Sequence, residues 1–149
     1  MVTSIKEFLS SSDVSIDARA NEKMSLLRVL ATRAAAALNL PPEIVAHAIQ
    51  VRDELGSTGI GGGVCIPHAR LREVRKPFGL LVRLWKPIEF DAIDGEPVDI
   101  VFLLLLPANS QLDQLNTLAA VARKLRDPIV LQDLRRATDK TDLYRVITA

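Results

Sequence analysis

One of the chain's two histidines, His68, ends the stretch GSTGIGGGVCIPH, residues 56–68. Four of the chain's seven glycines stand between Gly59 and Gly63. Glycine at that density lets main-chain amides converge on an anion. Ser57 and Thr58 add hydroxyl donors, and Arg52 upstream adds a planar guanidinium matched to phosphate. An imidazole keeps a free ring nitrogen near neutral pH, and Pro67 restrains the backbone that aims it. These residues describe a phosphate site with His68 as nucleophile, Arg52 as counter-charge, and Ser57, Thr58, Gly59 and Gly61 as a phosphate-binding loop. A plainer reading stands beside it, in which the glycines only turn the chain and the histidine is structural.

Other chemistries fit less well. The stretch is not GxxxxGK[ST], because no lysine follows, and no dinucleotide fingerprint matches it. Cys65 and His68 supply only two metal ligands, so no metal is expected. Three residues apart on extended chain, they face opposite ways and form no nucleophile pair. Cys65 reads as a small buried hydrophobe and His47 as a surface histidine.

The elements around the stretch follow from periodicity. Residues 1–20 read as an irregular lead-in with a short turn at 4–9. Met24, Leu27, Leu30, Ala31, Ala34 and Leu38 share one face of a helix over 22–38, which Pro41-Pro42 stops. A second helix, 42–55, starts on proline with Glu43 in its first turn and ends at Gly56. Ile44, Val45, Ala48, Val51 and Leu55 form its expected buried stripe. Arg52 falls within that stripe, which is costly unless it finds a partner. Residues 64–66 read as a buried strand, 79–85 as a half-exposed one and 88–90 as a further short one. Asp94-Gly95 marks a turn. Residues 97–106, PVDIVFLLLL, read as a central strand buried on both faces. A helix capped by Asn109 or Ser110 should run to 126, with Leu112, Leu115, Leu118, Ala122 and Leu125 inward. Two more helices are expected at 128–137 and from 141. Interleaved helices and strands imply an α/β class: a single domain over 1–149 with a mixed sheet flanked by helices.

The bulk numbers agree. A chain of 149 residues that is 48% hydrophobic and 25% charged is a soluble globular domain. A net charge of +1 gives no reason to expect nucleic acid or a polybasic membrane anchor. One cysteine fits a reducing compartment, and the N-terminus has no apolar leader. The longest apolar run, residues 100–106, is too short to span a bilayer. A cytoplasmic location without membrane insertion is expected.

The run from Arg52 to His68, RDELGSTGIGGGVCIPH, closely resembles the active-site signature of type-2 EIIA domains of the bacterial phosphoenolpyruvate-dependent phosphotransferase system. FDAIDGEPVD at 90–99, the strand ending in Leu-Pro-Ala, the Leu-x-Thr-Leu-Ala helix and the closing DLYRVI resemble the nitrogen-regulatory branch. The resemblance implies a compact α/β domain that accepts a phosphoryl group on His68 Nε2 from an HPr or nitrogen-HPr phosphocarrier, with Arg52 balancing charge. It implies no cofactor or nucleotide in that step, and a carrier rather than a multiple-turnover enzyme. A downstream transporter, sensor kinase or metabolic enzyme would then be regulated. The family's second active-site histidine aligns with Gln114, or with Gln111 if the helix is shifted by a turn; glutamine donates hydrogen bonds but cannot become cationic. The alternatives are the EIIA of a fructose- or mannitol-type sugar uptake system and an interaction module that is never phosphorylated.

Overall fold

A computed structural model describes residues 4–109 and 111–149, the side chains of residues 111–113 excepted. In chain order the elements are β1 (Val14–Ala18), α1 (Lys23–Leu38), α2 (Pro42–Glu54), β2 (Gly59–Gly61), β3 (Val64–Cys65), β4 (His68–Leu71), β5 (Phe78–Ile88), β6 (Val98–Pro107), α3 (Gln111–Arg126), α4 (Pro128–Arg136) and α5 (Lys140–Thr148). The sheet order is β1-β5-β6-β3-β2, with β4 pairing β6 beyond β3. β5 and β2 run antiparallel to β6 and β3 respectively, while β1–β5, β3–β6 and β4–β6 are parallel.

The central strand β6 is apolar throughout because alternate side chains enter two cores. Val101, Leu103 and Leu105 pack with α1 and α2. Ile100, Phe102, Leu104 and Leu106 pack with α3, α4 and α5. The result is a three-layer α/β domain with a mixed sheet in the middle. Helix ends carry their expected chemistry: Asn39 closes α1 in the left-handed region at φ 56°, and the Asp127 carboxylate accepts from the Ile129 amide at 2.9 Å to start α4. The anticipated cap at Ser110 lies outside the described residues, as do the side chains of Gln111 and Leu112.

Six expectations need correction. Leu115, expected inward on α3, is 64% accessible. The lead-in holds two 3-10 turns and an edge strand, β1. His68 opens strand β4, beyond the expected strand at 64–66. β5 is buried from Phe78 to Leu84 apart from a half-buried Arg83, which donates to the carbonyls of Leu134 (3.0 Å) and Ala137 (2.7 Å) at the end of α4, and it is exposed only over residues 85–87. Ile88 belongs to β5, and Phe90 is buried beyond its end. Of the expected buried stripe on α2, Val45 faces the core and Ala48 packs partly against it, but Ile44, Val51 (44% accessible) and Leu55 (82%) are exposed, and Ile49, outside the stripe, is the second residue buried in the core.

The FDAIDGEPVD segment bolts the glycine hairpin in place. Asp94 accepts from the Gly62 amide at 3.0 Å. Asp99 takes a two-pronged ion pair from Arg135, at 3.0 and 2.8 Å, and Arg135 also donates to the Gly62 carbonyl at 2.6 Å. Gly63 sits under this lock at φ +80°, where a Cβ would meet the Arg135 guanidinium and lie 2.9 Å from Asp99 Oδ1. Gly63→Ala should therefore destabilise the fold by about 1–3 kcal/mol. Urea denaturation reads this, and an unchanged midpoint would show that the lock yields without cost. Among the described residues no helix is long and apolar enough to cross a membrane.

Candidate functional site

His68 is held at the start of β4 by the chain on both sides of it. The Pro67 carbonyl accepts from the Leu104 amide at 2.9 Å, and the Ile66 amide donates to the Thr58 carbonyl at 2.9 Å. Proline fixes its own φ and keeps the preceding residue extended, which leaves the Ile66 carbonyl available to the imidazole. His68 Nδ1 lies 2.8 Å from that oxygen. A carbonyl only accepts, so Nδ1 carries the proton and Nε2 keeps its lone pair free. This is the role of the Pro-His pair: it fixes the tautomer as well as the direction of the ring.

The half-buried ring stands on a ridge between two hollows. On the α2 side is a hollow of about 370 Å³ lined by His47, Val51, Arg52, Leu55, His68 and Arg70, among others. On the α3 side a hollow of about 260 Å³ is lined by His68, Arg70, Leu106, Gln114, Leu115 and Leu118. Arg52 is not an unpaired charge in the core. Its stripe faces the first hollow, and its Nη1 donates to the Gly56 carbonyl at 2.9 Å, closing the last turn of α2. Gln114 is 7% exposed, and its side-chain amide donates to the Pro107 carbonyl. The structure thus brings Arg52, His68 and Gln114 together, with Gln114 across from Arg52.

The four loop residues are placed differently. Ser57 Oγ donates to the Phe90 carbonyl at 3.0 Å and accepts from the Gly59 amide at 3.1 Å. Gly59 and Gly61 form β2, and Thr58 is buried with its hydroxyl unpartnered among the described residues. None of Ser57, Thr58, Gly59 and Gly61 lines either hollow. The expected open cradle of amides is instead a hairpin that positions β3 and the Pro-His pair, because strand pairing and side-chain oxygens claim the donors first. Asp53, next to Arg52, is likewise structural: it pairs with Lys23 at 2.6 Å. Burial, reinforced by Asp53, pushes the Cys65 thiol well above its ordinary range and leaves it inert.

Two residues were missed or undervalued. Arg70 borders both hollows, and its signal was two-residue alternation with His68 over HARL. His47, read as an ordinary surface side chain, lines the α2-side hollow.

Burial lowers the His68 pKa below 6.5, aided by the Arg52 charge and opposed by the Ile66 carbonyl. The folded state therefore favours the neutral, nucleophilic ring. That contribution to stability is present above the ordinary imidazole pKa and is lost as pH falls through the depressed folded value. The rate of reaction at Nε2 should fall as pH drops, with its half-point below 6.5. An NMR titration of the ring gives the inflection directly, and a value above 6.5 would contradict this environment.

A three-layer α/β domain carrying one oriented imidazole at a sheet edge narrows the class, and comparison with known proteins completes it. The chain belongs to the EIIA type-2 family of the phosphoenolpyruvate-dependent sugar phosphotransferase system, whose signature matches residues 7–149. The nitrogen regulatory protein of Escherichia coli is 44% identical over 127 residues, 85% of this chain and 78% of that one. Its counterpart in Bradyrhizobium diazoefficiens is 41% identical over 129 residues, 87% and 84% of the two chains. The crystal structure of IIA-Ntr from Neisseria meningitidis superposes with a TM-score of 0.92 at 30% identity, covering 97% of this chain and 99% of that one. Within the family, these likenesses put the chain in the nitrogen-regulatory branch.

Proposed function

We propose that this domain is a phosphohistidine carrier whose phosphorylation state selects its partner proteins. The donor is a small histidine phosphocarrier of the HPr or nitrogen-HPr kind. The P–N bond to the donor's imidazole breaks as a P–N bond to His68 Nε2 forms. The departing ring leaves with the electron pair of the broken bond, and His68 Nδ1 keeps its proton on the Ile66 carbonyl. The observation that carries this reading is the fixed tautomer of His68, with Nε2 free between two hollows. Positioning and charge balance are what such a transfer requires of a protein, and Arg52 supplies charge. Acquiring a dianion on a nearly neutral chain changes which surfaces the domain can meet. A transporter, sensor kinase or metabolic enzyme is the class of partner so regulated.

Exposed apolar side chains flank the ring on both sides: Val51 on α2 and Leu55 just past its end, and Leu115, 64% accessible, on α3. An apolar patch around a polar centre is how a carrier would seat itself over the histidine. Incubation with phosphoenolpyruvate, the first enzyme of the system and a histidine carrier should give one acid-labile, base-stable phosphate per chain. No label at all would reject the carrier reading in favour of an interaction module. Leu55→Glu should slow transfer from the carrier roughly tenfold while slowing labelling by phosphoramidate, a small donor that needs no docking, far less. Equal slowing with both donors would mean that Leu55 serves the chemistry rather than the docking.

A further inference from the structure

Strand alternation sends Ala69 and Leu71 into the core shared with α1 and α2. His68 and Arg70 therefore share the opposite face of β4, about 6.6 Å apart along the strand. Arg70 is exposed and makes no hydrogen bond or ion pair among the described residues. It borders both hollows beside His68. Arg52 borders only the α2-side hollow and has one guanidinium nitrogen committed to the Gly56 carbonyl. In the α3-side hollow the described neighbours of His68 are Leu106, Gln114, Leu115, Leu118 and Arg70. Gln114 is neutral and already donates to the Pro107 carbonyl. Arg70 is thus the one fixed cation there among the described residues.

We propose that Arg70 is a second oxyanion-binding guanidinium of this site, which grips a phosphoryl group on His68 from the α3 side while Arg52 faces it from the α2 side. For the covalent state this rests on the phosphocarrier reading. For the free protein it stands alone, since two guanidiniums around an open imidazole bind inorganic phosphate whether or not transfer follows. The two sides differ in kind. Arg52 is tethered and pre-set, whereas Arg70 is untethered and swings onto the anion as it arrives. Its planar fork suits two phosphate oxygens at once.

The test titrates the unphosphorylated protein with inorganic phosphate and follows the His68 ring resonances. A saturable shift is expected. Arg70→Gln should weaken it roughly fivefold or more, and Arg70→Lys should recover part of the loss. Lys76→Gln, an exposed cation outside both hollows, should leave it unchanged. In protein loaded by phosphoramidate, the phosphoryl group's own pKa, read by ³¹P NMR, should rise by roughly half a unit to one unit in Arg70→Gln. Equal phosphate affinity in Arg70→Gln and wild type, or no saturable shift at all, overturns the assignment of Arg70. Saturable, Arg70-dependent phosphate binding without any labelling of His68 instead rejects the phosphocarrier reading and leaves Arg70 standing as an anion ligand.

Discussion

His68→Ala will accept no phosphoryl group, and His47→Ala will be loaded as the wild type is. Both imidazoles line the α2-side hollow, so proximity to Arg52 does not separate them; the way each ring is held does. His47 is exposed on α2, and neither of its ring nitrogens is held among the described residues, so its tautomer and direction are unset. His68 has Nδ1 committed to the Ile66 carbonyl and Nε2 open. In-line transfer rewards a nucleophile already placed, by several orders of magnitude in favourable cases. Truncating His68 forfeits one hydrogen bond, worth about 1 kcal/mol, so the variant stays folded and the lost label reports chemistry. Counting phosphate on the intact chain after loading decides the matter. Label that survives in His68→Ala and vanishes in His47→Ala would reverse the assignment.

Arg52→Gln should cut the rate of phosphoryl acceptance roughly a hundredfold, the usual loss when one preorganised charge-stabilising donor is removed. The guanidinium is pre-set by its bond to the Gly56 carbonyl, so little reorganisation accompanies the arrival of negative charge. Glutamine keeps polarity and some length but not the charge. Stability should change little, since Arg52 is partly solvated and makes no ion pair among the described residues. The His68 pKa should move upward, because the Arg52 charge is one of the causes holding it down. Stopped-flow transfer from the phosphorylated carrier and a ring titration measure the two effects. A rate within threefold of wild type, with an unmoved pKa, would remove Arg52 from the site.

What could be read in the sequence was local. Asn39, Pro41-Pro42 and Asp127-Pro128 bound their helices through chemistry carried by neighbouring residues. The run PVDIVFLLLL declared a strand buried on both faces because hydrophobicity shows at every position. What stayed hidden depends on distant partners. Arg83 reads as a solvent-facing break in β5, yet it is half-buried and held by carbonyls at the end of α4 and by Asp17 at 3.2 Å. β1 escaped notice because Asp17 adopts φ 58° and the pairing slips between Ser15 and Ala18, which spoils the alternation. On α2, periodicity found an apolar stripe but could not tell a core face from a docking face. Leu55 and Val51 are exposed and line the hollow beside His68, the position the proposed docking uses. At the site, motif spacing exposed His68 and Arg52. The glycines misled because backbone amides look available in a sequence until their strand partners are known. Arg70 lay in a four-residue strand too short for its alternation to register.

Everything at this site turns on His68 offering Nε2, with Nδ1 protonated against the Ile66 carbonyl. Loading isotopically labelled protein with the phosphorylated carrier and recording ¹⁵N–³¹P coupling in the histidine rings reads it most directly. Phosphorus is expected on Nε2 of His68 with the Nδ1 proton retained; phosphorus on Nδ1 of that ring, or on His47, would contradict the assignment.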